Sequence, residues 1–314
     1  MFYYLALVLI SFGSSLILGK PLINLLNSFS AKQTIREDGP LDHITKKAQI
    51  PTIGSLIFLI PTFLITFGIC FLKKEFQTLD LLSVAGITFL MAILGLSDDL
   101  IKILKKQNKG ISGWLKLFIQ FMASLVIFYL YKEDKSLIYL IWIFFIIAGA
   151  SNSYNLTDGL DGLLASITIS SLLGFLFLTF SLGKTELLSF LVILSGSISG
   201  FLYFNKYPAK VFMGDTGSLA IGGLVGSLAV ILKSELYLIC FAAIPILETL
   251  SVILQVASCQ LSKKFLGVDK RIFKMAPLHH HFELCGWKET LIVKRFLVFQ
   301  LICVLIGILI FFNS

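Results

Sequence analysis

Three kinds of side chain that can move protons, hold cations or grip phosphates gather in a few short segments. Asp98 and Asp99 stand in "GLSDDLIKILKKQNKGISGWLK", Asp158 and Asp161 in "NLTDGLDG", and Asp215 in "FNKYPAKVFMGDTGSLAIGG". His279, His280 and His281 stand in "DKRIFKMAPLHHHFELCGW". Carboxylates in excess suit a divalent cation, whereas lysines and histidines suit phosphates; phosphoryl transfer needs both. Neighbouring residues on a helix point about 100° apart, so Asp98 and Asp99 address different spots unless the helix frays. They are read here as ending an apolar helix, where the dipole disfavours carboxylates, so a function is the better reason for two of them.

Asp158 and Asp161 are three apart, which puts them on one face of any helical turn. Gly159 and Gly162 leave the backbone open to a ligand. Asn155, Asp158 and Asp161 can offer oxygens to a hard cation such as Mg²⁺; the plainer alternative is a capped helix start. Asp215 lies among glycines just before a predicted helix, whose N-terminus favours phosphate, and again an N-cap is the alternative. Three contiguous histidines make a poor zinc site, since one segment cannot aim all three at one metal, and the HExxH spacing is absent. They suit phosphate binding or proton transfer near neutral pH. A further loop, "QTIREDGPLDHITKKAQIPTIGS", brings Lys46 and Lys47 to a Pro-started helix at Pro51, as interface markers or as a cation for a phosphate.

The elements that must position these groups are membrane helices. Of 314 residues 57% are apolar and only 14% charged, far below the charge of about 25% usual in soluble chains. A bilayer-crossing helix needs about 20 apolar residues. Ten such stretches are predicted, at 2–26, 52–72, 80–96, 114–131, 137–151, 163–182, 187–204, 217–232, 236–258 and 292–313. The expected fold is an all-α integral membrane protein, one domain over 1–314, with the first helix retained.

Loops 27–51, 97–116, 205–218 and 259–295 hold 19 of the 26 Lys and Arg residues. The positive-inside rule makes those loops cytoplasmic and puts both termini outside. Every histidine and every patterned carboxylate therefore falls on the cytoplasmic face, where the active site is expected. The net charge of +8 follows from the same bias and implies no nucleic-acid partner. The five cysteines have no paired spacing and suggest neither disulfides nor a metal site. "LGKT" at 182–185 imitates a phosphate loop but lacks its first glycine and maps outside, while "GSISG" (196–200) and "GGLVG" (222–226) are read as close helix packing.

At these motifs the chain resembles the phospho-N-acetylmuramoyl-pentapeptide transferase family, within the polyprenyl-phosphate N-acetylhexosamine-1-phosphate transferases. "REDGP", "PTIG", "LGLSDDLIK", "NLTDGLDGL", "FNKYPAKVFMGDTGSLAIGG", "ETLSVILQV" and "RIFKMAPLHHHFELCGW" carry the likeness along nearly the whole chain. The resemblance implies a ten-helix enzyme of the bacterial cytoplasmic (inner) membrane. It would transfer phospho-MurNAc-pentapeptide from UDP-MurNAc-pentapeptide to undecaprenyl phosphate, giving lipid I and UMP with Mg²⁺, and a homodimer is compatible with it. Asp98 resembles the base that deprotonates the lipid phosphate, with Asp99 and Asp158 beside it in the catalytic group. Asp215 is similar to the Mg²⁺ ligand. Asn155, Asp158 and Asp161 match the motif lining the nucleotide pocket, and Gly159, Leu160, Asn205 and Phe212 the uridine surface. His279 and His280 would contact sugar or phosphates, with His281 a substrate-binding position, and Lys116 matches a family lysine.

One stretch departs from the family pattern. Where that reads Lys-x-Gly-Thr-Pro-Thr-Met-Gly-Gly, this chain reads "KAQIPTIGS", so the family lysine falls on Lys47 counting back from Pro51 and on Lys46 counting forward from His43. Two other readings share the hydropathy. A sibling transferase taking UDP-N-acetylglucosamine would differ around "APLHHHFE", and a lipid or nucleotide transporter would place its charges near the bilayer midplane.

Overall fold

The computed structural model describes residues 2–29, 50–107, 109–131 and 136–313, and these are helical with no strand. Ten long helices follow the ten predicted spans: α1 (Phe2–Ser28), α2 (Leu56–Leu72), α3 (Leu79–Lys105), α4 (Gly113–Leu130), α5 (Leu137–Thr157), α6 (Leu163–Ser181), α7 (Thr185–Asn205), α8 (Asp215–Ile231), α9 (Ala243–Leu266) and α11 (Glu289–Phe312). A two-turn α10 (Leu278–Leu284) carries the histidines. Eight of the ten are long and apolar enough to cross a membrane; α2 and α8 are shorter apolar helices. Large outward-facing side chains such as Phe67, Phe71, Leu137, Ile138 and Phe145 would be a liability in water and are suited to lipid.

The bundle is organised around α8, which packs between α3 and α5. Every residue from Thr216 to Ile231 is buried, as expected of a helix apolar on all sides. The small residues read as packing motifs do that: a Cβ on Gly222 would lie 2.4 Å from the Cα of Ser151, and one on Gly226 2.9 Å from the Cα of Ile147, so α8 and α5 touch backbone to backbone. Gly196 and Gly200 of α7 meet α1 in the same way, against Ser11 and Ser15.

Helix ends differ from the predicted ones where polar residues continue a helix that hydropathy alone would stop. α3 runs nine residues past its predicted end at 96, because Lys102 pairs with Asp98 one turn back and Lys102 and Lys105 suit the C-terminal dipole. Asp98 and Asp99 therefore lie inside the helix, two turns from its end. The ninth span, predicted unbroken, is interrupted at Ala242 between a single turn, Leu238–Phe241, and α9. Backbone freed in a membrane must find other partners. Gln300 of α11 supplies them: its side chain accepts from the Ile244 N–H at 2.9 Å and donates to the carbonyls of Cys240 and Phe241 at 3.2 and 2.8 Å.

Candidate active site

Six helix ends converge on one end of the bundle, the end that the Lys/Arg bias predicts to face the cytoplasm. They are the C-terminal parts of α3 and α5 with the N-terminal parts of α4, α6, α8 and α11, joined by α10.

Four charges form its centre. Asp98, fully buried, receives Lys102 Nζ at 2.6 Å and Lys116 Nζ at 3.0 Å, and also accepts from the Ile111 N–H at 2.6 Å. The same two ammonium groups reach Asp215 Oδ2 at 2.9 and 3.1 Å. Two carboxylates from α3 and α8 thus share two lysines from α3 and α4. Asn155 at the end of α5 donates to Asp215 Oδ1 at 2.9 Å and to Ser218 at 2.8 Å, which fixes the other carboxylate oxygen. Sequence reasoning passed over Lys102, although its spacing of four from Asp98 on a helix was the available signal.

Asp99 points elsewhere, as adjacent helical residues must. Its carboxylate accepts from the N–H groups of Asp215 at 3.1 Å and Thr216 at 2.9 Å, and from the Thr216 hydroxyl at 2.7 Å. It caps α8 from another helix: the residue before Asp215 is Gly214, at φ +78°, and has no side chain to do so. Gly214 must stay bare, since a Cβ there would lie 2.7 Å from both Asp99 Oδ2 and Thr52 Oγ1. Asp215 itself is the first helical residue rather than the cap.

The 158–162 loop links α5 to α6, and its two carboxylates diverge. Asp158 is half-buried beside the backbone of Gly214; burial, then the nearby Asp215 and Asp99, push its carboxyl up to about 7 against the pull of the Gly214 N–H. Asp161 is buried, and its Oδ2 accepts from the Ala209 N–H at 2.9 Å while its own N–H donates to Glu289 at 2.6 Å, which ties the loop to the 206–214 segment and to α11. Gly162, at φ +75°, starts α6 without a side-chain cap.

The three histidines face three ways. His279 is buried, with Nδ1 3.2 Å from Glu248 of α9, while its Nε2 lies where a Cβ on Gly159 would sit. It pins α10 between α9 and the aspartate loop. His280 leans on it, the ring planes tilted by 57° and the centroids 4.2 Å apart, and meets Glu283 at 2.8 Å. His281 accepts from the Lys274 N–H at 3.1 Å through Nδ1 and meets Phe273 in an edge-to-face contact. Glu248, in "ETLSVILQV", has no role that local spacing could reveal, because its partner lies 31 residues on.

The remaining predicted positions divide. Asn205 donates to the Val211 carbonyl at 2.9 Å, and Phe212 exchanges backbone hydrogen bonds with Pro51 and Gly54 at 2.8 Å, so both shape the loop before α8. Leu160 is buried in a small cluster with Leu163, Ile244 and Phe296 rather than presented on a surface. Lys46 and Lys47 lie outside the described residues. On the opposite end, Lys184 of "LGKT" pairs with Asp80 at 2.8 Å, far from the carboxylates.

Among the described residues no three His, Cys, Asp or Glu side chains could hold a metal ion by themselves. The donor chemistry nevertheless fits Mg²⁺, which is bound by one or two carboxylates with substrate phosphates and water completing its shell. Asp215 would supply such a carboxylate, with Asp98 close enough to share each ammonium group with it.

The family model described as glycosyl transferase family 4 matches residues 81–233, from α3 through α8. A phospho-N-acetylmuramoyl-pentapeptide-transferase of Clostridium novyi (strain NT) is 42% identical over 96% of this chain and 95% of its own. That of Clostridium perfringens (strain 13 / Type A) is 42% identical over 94% of each, and that of Clostridium kluyveri (strain ATCC 8527) 40% identical over 96% of this chain and 97% of its own. Likeness of this degree over at least 94% of the chain settles descent: the chain belongs to the phospho-N-acetylmuramoyl-pentapeptide-transferase family.

Proposed function

We propose that the protein transfers phospho-MurNAc-pentapeptide from UDP-MurNAc-pentapeptide to undecaprenyl phosphate in the bacterial cytoplasmic membrane, forming lipid I and releasing UMP. The observation that carries this reading is the paired Asp98–Asp215 cluster at the cytoplasmic end of the bundle, in a chain matched to these transferases over nearly its whole length. A phosphate on a lipid tail can reach that end from the bilayer, and a nucleotide sugar from the water.

In the preferred route the lipid phosphate attacks directly. Asp98 takes its proton, an oxygen of the lipid phosphate bonds to the phosphorus next to the sugar, and UMP leaves with the bridging oxygen. Two phosphates held side by side need no covalent protein intermediate. Mg²⁺, held by Asp215, would neutralise charge on the reacting phosphates. Asn155 fixes the Asp215 carboxylate, and Asp99 holds the end of α8 on which Asp215 stands. Asp158, Gly159 and His280 border the same end, where the nucleotide and sugar are assigned. The packing of His279, Leu160 and Asp161 supports an indirect part for these three, holding the loop in place.

The test is UMP release by the purified protein with undecaprenyl phosphate and Mg²⁺, comparing UDP-MurNAc-pentapeptide with UDP-N-acetylglucosamine. Release from the muramoyl donor alone, abolished by EDTA, is expected. Release from the other donor would make it a sibling enzyme, and release from neither would overturn the reading.

A further inference from the structure

Lys102 and Lys116 each hold two carboxylates at once, and that arrangement sits badly with a cation bound in the same place. A divalent ion on Asp215 would approach to 2.0–2.1 Å, the usual distance for Mg²⁺. The Oδ2 it would take already faces ammonium groups at 2.9 and 3.1 Å, and Oδ1 faces Asn155 at 2.9 Å. Asp98 is no freer, with the same ammonium groups at 2.6 and 3.0 Å. Two more positive charges among two ammonium groups at this range are opposed by strong Coulomb repulsion. The lysines, unlike fully buried Asp98, keep part of their side chains exposed, at 28% and 18%, and they ride on long flexible stems. They can leave the carboxylates for another anion without unfolding anything.

We propose that Lys102 and Lys116 are exchangeable counterions. In the free protein they neutralise Asp98 and Asp215; when phosphates arrive they move onto the phosphate oxygens, and the divalent cation takes the carboxylate they vacate. Cation binding is thereby conditional on substrate, and Asp98 loses the ammonium groups that cover it only when there is a phosphate to act on. The exchange deepens the phosphoryl-transfer reading above and rests on it for the identity of the phosphates, but not for the competition between lysine and cation.

Mn²⁺ is the probe, followed by its paramagnetic resonance signal on the full-length protein in detergent without nucleotide. Lys102→Gln removes one ammonium group and keeps the side chain's bulk. It is expected to bind Mn²⁺ roughly tenfold or more tightly than wild type, and Asp215→Asn added to it should abolish the gain. UMP release by Lys102→Gln should fall at the same time, since the phosphates lose a cation. Lys116→Gln reports the same exchange from another helix should the first variant fail to fold. Mn²⁺ affinity in both lysine variants at or below that of wild type overturns the proposal, as does saturable Mn²⁺ binding by wild type at micromolar concentrations without nucleotide. Tightening without any UMP release by wild type would sink the transferase reading and leave the exchange standing; release without tightening would do the reverse.

Discussion

Asp98 and Asp99 are neighbours in sequence with separate partners, one set in a cluster of lysines and the other on the backbone of α8. Asp99→Ala would leave two N–H groups and a hydroxyl without their acceptor. At about 1–3 kcal/mol for each buried group left unpaired, the variant should unfold at a visibly lower temperature and also lose UMP release, because Asp215 is carried on the loosened turn. An unchanged unfolding midpoint would sink the positioning role. That adjacent aspartates face apart was legible from helix geometry alone. The partners were not: Thr216, Glu248 and Ala209 lie tens of residues or more from the groups they bind, and only the folded bundle brings them together. The expectation that Asp158 and Asp161 share a face failed because the segment is a loop, and Asp161 turns back to hold Ala209.

Hydropathy located all ten long helices, since a run of apolar residues in this composition has one stable outcome. It misplaced their ends wherever polar residues extend or interrupt them, as at Lys102 in α3 and Ala242 before α9. The break before α9 provides a test. Gln300→Leu keeps the approximate size and brings an apolar side chain that a membrane helix tolerates, yet strands the Ile244 N–H and the Cys240 and Phe241 carbonyls. A loss of about 1–3 kcal/mol for each group that finds no substitute partner is expected, read as a drop in the thermal midpoint in detergent. Stability equal to wild type would mean that water or a neighbouring group already serves the break. The glycine pairs of α7 and α8 were read correctly because GxxxG in an apolar helix has a packing explanation that needs no further context.

At the scale of the molecule, the direction of the bundle is a prediction from loop charge that one exposed cysteine can check. Cys285 follows α10 at the site end and is exposed. A membrane-impermeant maleimide should label it in inside-out vesicles and leave it unlabelled in intact spheroplasts, with Cys285→Ser as the control; labelling from outside would invert the topology. The central helix adds a consequence of its own. α8 has 17 residues, so it spans only about 25 Å, against about 30 Å for the hydrocarbon core of a bilayer. Its first residue is Asp215, and a helix this short cannot carry both of its ends out to the lipid headgroups. A charge that lies below the headgroups attracts its counterpart more strongly than one at a wet surface, which favours the tight pairing of carboxylates and lysines at the head of α8.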